Sequence, residues 1–121
     1  MILLDSCILI DHFNGKPQAR KYLAEYWKEC MTSAITRAEV MAGFDTAGRE
    51  QAVRFLDQFS VINIDTKIAD FAADLRRLHR WKLPDAIQAA VALSENLQFA
   101  TRNTKDFAPE VHSFVIVPYQ L

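Results

Sequence analysis

Short apolar runs alternate with longer stretches of helical periodicity along the whole chain. Met1 to Leu4 is apolar without a polar break, the pattern of a strand buried on both faces of a parallel sheet. Similar short runs recur at 30–34 (CMTSA), 60–64 (SVINI), 97–101 (LQFAT) and 113–117 (SFVIV). Between them the spacing predicts helices over 6–13, 18–29, 36–44, 49–59, 66–80 and 85–95, with a turn at 45–48 and a short helical turn at 103–107. The 66–80 helix is the clearest, because Ile68, Phe71, Ala72, Leu75 and Leu78 keep a 3.6-residue period. Asn14-Gly15, Pro17, Pro84, Asn96 and Pro118 punctuate these elements. Strands alternating with helices imply an α/β fold, a parallel sheet covered on both faces.

Composition narrows the picture only slightly. The chain of 121 residues is expected to form a single domain over 1–121, long enough for a real core. A net charge of −1 gives no support to a free-standing nucleic-acid binder, although an acidic site can mask a local basic face. The only cysteines are Cys7 and Cys30, with no Cys-x-x-Cys pair, so free thiols are the better reading. No basic leader precedes the first strand, and no apolar run approaches the ~20 residues of a membrane helix. A cytoplasmic location with no membrane partner is therefore expected.

Four carboxylates carry the candidate chemistry. Asp5 follows the first strand. Glu39 lies in the first turn of the helix after CMTSA, and Asp106 follows LQFAT within a few residues. All three come after strand carboxyl ends, the edge where open α/β sheets bind ligands. Asp85 sits in the first turn behind Pro84 and follows a helix instead, so its convergence is an assumption. Each acid also reads as a helix cap: Asp5 as an N-cap, Thr36-Arg37-Ala38-Glu39 as a capping box, Asp85 as an answer to a helix dipole, and the Asn103 to Asp106 segment as another cap. Together, however, four negative charges on one edge repel and raise each other's pKa. A hard cation relieves that repulsion, and all-oxygen donors suit Mg²⁺ or Mn²⁺ rather than Zn²⁺.

The order Asp5-Ser6, Thr36-x-x-Glu39, Leu83-Pro84-Asp85-Ala86 and Thr101-Arg102-Asn103-Thr104-Lys105-Asp106-Phe107 resembles a PIN domain, and more narrowly the VapC-type toxins of bacterial toxin–antitoxin pairs. The resemblance covers essentially the whole chain. It implies a three-layer α/β/α sandwich with a mostly parallel sheet of four to five strands. It also implies that Asp5, Glu39, Asp85 and Asp106 form the catalytic set, with Asp5, Asp85 and Asp106 as metal ligands and Ser6 and Thr101 lining the same site. One departure is Cys7, where the family often has Asn or Ser. Asp11 recurs in such openings, but six residues along a helix from Asp5 its spacing suggests a surface or capping role.

The implied activity is a Mg²⁺- or Mn²⁺-dependent endoribonuclease, acting on transfer, messenger or ribosomal RNA. Its implied form is a homodimer neutralised by an antitoxin. Arg37, Arg102 and Lys105 flank the acids and are candidate phosphate grips. His12, His79 and His112 have no catalytic spacing and read as ordinary surface or helix residues. Trp27 and Trp81 could stack on bases, but packing is the preferred reading. Met41, Phe44, Phe55 and Phe59 are expected to line an apolar groove for an antitoxin helix. A haloacid-dehalogenase-type phosphatase fails because Cys7 stands where its second Asp belongs. A receiver-like domain fails for want of an acidic pair. The remaining alternative is a PIN-like binding module working through a DNA-binding antitoxin with little nuclease activity.

Overall fold

The structure is a computed structural model that describes residues 1–121. Its five strands are β1 (Ile2–Leu4), β2 (Cys30–Ser33), β3 (Ser60–Ile62), β4 (Gln98–Ala100) and β5 (Val115–Ile116). They form one wholly parallel sheet in the order β3-β2-β1-β4-β5. Parallel neighbours require crossovers, and six α-helices supply most of them: α1 (Ser6–Phe13), α2 (Pro17–Tyr26), α3 (Ala34–Met41), α4 (Thr46–Leu56), α5 (Thr66–His79) and α6 (Leu83–Ser94).

The apolar run at the amino terminus does what its pattern predicts. Ile2 and Leu4 face a core built with Ile8, Leu9, Tyr22, Leu23, Val40 and Leu56 from α1 to α4. Leu3 faces the opposite core, made with Ile68, Ala72 and Leu75 of α5 and the alanine-rich face of α6. Period-two alternation therefore splits one three-residue strand between two hydrophobic layers. The result is the expected α/β/α sandwich.

Helix boundaries differ from the sequence reading, and side-chain caps explain why. Ser33 accepts a hydrogen bond from the Thr36 amide and starts α3 at Ala34. Glu39 consequently lies in the second turn, and Thr36 is not an N-cap. Asp45 accepts from the Gly48 amide, so 45–48 is the cap and opening of α4 rather than a free turn. The helix expected over 18–29 closes at Tyr26 and tightens into a 3₁₀ turn, Trp27–Glu29. The 103–107 segment is a turn, closed by the Phe107 amide donating to the Asn103 carbonyl at 2.9 Å. After α5, Arg80 takes a left-handed conformation (φ 60°), and the reversed chain enters α6 with Pro84 in its first turn. That reversal brings the first turn of α6, with Asp85, back to the sheet's carboxyl edge.

Candidate functional site

The strand order reverses between β1 and β4, the place where an open parallel sheet leaves a crevice beyond its strand ends. Asp5 stands there. It is buried, and it is also the N-cap of α1, one carboxylate oxygen accepting from the Ser6 amide at 2.8 Å. The other oxygen accepts from the Thr101 hydroxyl at 2.7 Å. Thr101 follows β4 and is fully buried; its hydroxyl oxygen accepts in turn from the Asn103 amide at 3.0 Å. Capping and site-building are thus one role here: the same carboxylate closes a helix and bridges the two halves of the sheet.

A buried polar network fixes the two helices that carry the next acids. The Ser33 hydroxyl donates to Gln88 Oε1 at 2.7 Å, and Gln88 Nε2 donates to the Thr36 hydroxyl. The Thr36 hydroxyl donates onward to the Leu4 carbonyl at 3.1 Å, one residue before Asp5. Every member is buried and paired, so the network rigidifies the junction of β1, α3 and α6. Gln88 lies three residues after Asp85 on α6, and a lone polar residue amid 86–93 was the signal for it.

The charges of the four acids meet. Burial raises the Glu39 carboxyl above the usual range even though the residue as a whole is exposed. Asp5 and Asp85 push it further up, while the Ser6 hydroxyl beside it pulls down. Burial likewise raises Asp85, helped by the charges of Asp5 and Asp106 and opposed by Lys82. Asp106 is anchored by Asn103 Nδ2, which donates to its carboxylate at 3.0 Å. As the side chains stand, no three His, Cys, Asp or Glu groups are drawn tightly enough together to grip an ion. The donor set nevertheless suits a hard divalent cation: it is all oxygen, and the negative charges around Asp85 and Glu39 help to raise those two carboxyls. The Cys7 thiol is 3.7 Å from Asp5. Burial and then the Asp5 charge push it up to about 11, so it stays protonated and is a poor ligand.

Comparison with known proteins gives the family. The PIN domain family model matches residues 2–108. This chain belongs to the PIN-domain family. A curated relative, Ribonuclease VapC10 of Mycobacterium tuberculosis, is 36% identical over 114 residues, covering 88% of this PIN domain's chain and 86% of its own. Among solved structures, a toxin-antitoxin complex from Klebsiella pneumoniae matches with a TM-score of 0.89 and 40% identity over the whole of both chains. FitAcB from Neisseria gonorrhoeae matches at 0.78 and 25% identity, again over the whole of both chains.

Other residues of the PIN domain sit differently from the sequence reading. Asp11 is not a surface residue. It is buried, and its carboxylate takes two hydrogen bonds from the Arg102 guanidinium (2.6 and 2.8 Å) and one from the Tyr119 hydroxyl (2.7 Å). Arg102 is therefore committed to Asp11 and not free to grip phosphate. Arg37 is paired with Asp57 at 2.9 Å. Lys105 and Lys82 are exposed and make no ion pair. The apolar groove is also shifted. Phe59 is buried in the core. Phe44 packs edge-on against Phe13, 4.9 Å between ring centroids, and Met41 lies against the same core. One open cleft, about 210 Å³, runs between α1, α2 and the C-terminal end of α4: Phe55 and Phe59 do line it, beside His12, Leu23 and the exposed Trp27, whereas Met41 and Phe44 do not.

Proposed function

We propose that this PIN domain is a metal-dependent endoribonuclease toxin of the VapC type, held in check by an antitoxin and acting as a cytoplasmic homodimer. The observation that carries the reading is the electrostatic coupling of Asp5, Glu39, Asp85 and Asp106 at the sheet's reversal point. The ribonuclease relative and the toxin-antitoxin structural neighbour agree with it. No helix is long and apolar enough to cross a membrane.

Asp5, Asp85 and Asp106 would hold Mg²⁺ or Mn²⁺. When bound, such an ion neutralises phosphate charge and acidifies attacking water. The chain's own residues do the rest. The Ser6 amide and Thr101 hydroxyl fix the Asp5 carboxylate so that its orientation costs nothing during the reaction. Glu39, with its raised pKa, is suited to take a proton from water. Asn103 orients Asp106. Lys105 and Lys82 are the uncommitted cations for the RNA backbone. In-line attack leaves a 5′-phosphate and a 3′-hydroxyl, with no side-chain nucleophile.

The test is incubation of purified protein with total cellular RNA, with Mg²⁺ or with chelator, followed by sequencing of new 5′ ends. New ends should appear only with the metal. Chelator-resistant cleavage, or none from the wild type, would sink the reading. For the partner, we place the antitoxin helix in the cleft beside Trp27 and Phe55. Trp27→Ala with Phe55→Ala is expected to weaken antitoxin binding about 100-fold or more, read by calorimetry with the cognate antitoxin. RNA cleavage by the same variant should be unchanged.

A further inference from the structure

A second cleft opens beside Asp106, away from the Asp5–Thr101 bridge. It measures about 280 Å³, and its lining includes His79, Lys105, Asp106, Val111 and His112, with Trp81 behind. Three rings are layered there. Trp81 is buried and leans on Phe107, 4.6 Å between centroids. His79, exposed at the end of α5, lies flat against Trp81, 4.2 Å away and only 16° from parallel. His112 stands edge-on to His79, 5.3 Å away and 77° out of plane. Two hydrogen bonds stop the stack from turning: Trp81 Nε1 donates to the Asp106 carbonyl at 3.0 Å, and Arg76 donates to the Trp81 carbonyl at 2.8 Å.

A lone surface imidazole rotates freely. This one is pinned as the outermost layer of a ring stack whose innermost member is core. The same indole that supports it also bonds to the backbone of Asp106. Its exposed face is therefore held in a set relation to a candidate catalytic carboxylate. The exposed side chain of Val111 adds apolar surface, and Lys105 adds a cation with no ion-pair partner.

We propose that this cleft is a nucleobase subsite: a base of the RNA strand next to the cleaved phosphate stacks on His79, with His112 as the side wall and Lys105 on the adjoining phosphate. The inference rests on the ribonuclease reading and adds to it a determinant of which bond is cut. A planar base is the occupant because the platform is flat, aromatic and continuous with Asp106, while the cation at the rim matches a phosphodiester.

The experiment compares wild type with His79→Ala, His79→Phe and His112→Ala on total cellular RNA with Mg²⁺, reading kcat, KM and the base flanking each new 5′ end. In parallel, anisotropy of labelled rA, rU, rC and rG hexanucleotides is measured on Asp85→Asn protein with and without His79→Ala. His79→Ala should raise KM roughly tenfold with kcat retained, flatten base preference at one flanking position and weaken hexanucleotide binding. His79→Phe should restore all three, because a ring and not a charge is needed. Unchanged KM and cut pattern in His79→Ala, or no rescue by Phe, overturns the subsite while leaving the nuclease intact. Absence of cleavage by wild type overturns the ribonuclease reading instead, and the hexanucleotide arm then decides the subsite alone.

Discussion

Asp85→Asn is expected to lower the RNA-cleavage rate by roughly a thousandfold, the equivalent of several kcal/mol of transition-state charge stabilisation, while making the metal-free protein more stable at neutral pH. The opposite signs share one cause. Burial and the neighbouring charges of Asp5 and Asp106 raise the Asp85 carboxyl above its usual value. Between the unfolded and the raised folded pKa, the native state binds more protons than the unfolded one. Stability therefore falls as pH rises through that window. An amide removes the penalty, so the variant's advantage grows as pH rises through that window. It fades on acidification and vanishes below the unfolded carboxyl value of about 3.9, where Asp85 is protonated in both states. Melting curves with chelator at pH 7 and near pH 3, beside single-turnover cleavage with Mg²⁺, measure both halves. A variant that is less stable than wild type at pH 7 without metal would contradict the crowding of charge at this edge. Added Mg²⁺ should raise the wild-type melting temperature by mass action and the variant's by less.

Arg102→Ala is expected to cost about 3–5 kcal/mol of folding stability, because it strands the buried Asp11 carboxylate without its bidentate partner. Arg102→Lys should recover little, since an ammonium cannot reproduce two parallel hydrogen bonds. Burial alone would push the Asp11 carboxyl up. Hydrogen bonds from Arg102 and Tyr119 and the guanidinium charge outweigh it and hold the carboxyl below the usual range. A depressed folded pKa means that this contribution is present above the unfolded carboxyl value and is lost as pH falls through the folded one. The difference between wild type and Arg102→Ala should thus be full at pH 7 and shrink in acid. Urea titrations at the two pH values, combined with Asp11→Ala in a double-mutant cycle, isolate the pair. Additive single-mutant effects would mean that the ion pair contributes nothing beyond packing.

This pair also marks the limit of what a linear reading can see. Asp11 and Arg102 lie 91 positions apart, and nothing in local spacing distinguishes Asp11 from a solvent-facing helix residue. The site acids were more legible. Asp5 and Asp106 follow strand ends, and strand ends in a parallel sheet share an edge, so their place on one edge beside Asp85 follows from secondary structure plus topology. For Glu39 the helix start and the competing cap reading both changed: α3 begins at Ala34, so Glu39 lies in its second turn. Thr36-x-x-Glu39 has the form of a capping box, yet Ser33 is the cap, and Thr36 spends its hydroxyl on Leu4 and Gln88. Phe44 and Met41 read as groove residues because large apolar side chains on neighbouring helices look alike whether they face a partner or the core. Only packing against Phe13 and the sheet tells them apart.

Hydrophobic periodicity was enough to set the strand–helix alternation, the two-faced burial of β1 and the class of fold, because those depend on interactions repeated every two to four residues. The order β3-β2-β1-β4-β5, the bridge from Asp5 to Thr101, the Gln88 network and the commitment of Arg102 to Asp11 came only with the folded chain. Each of them joins side chains or strands from distant parts of the chain. Such pairs are chosen by which groups are left buried and unsatisfied once the layers close, and that is a property of three-dimensional packing rather than of neighbours in sequence.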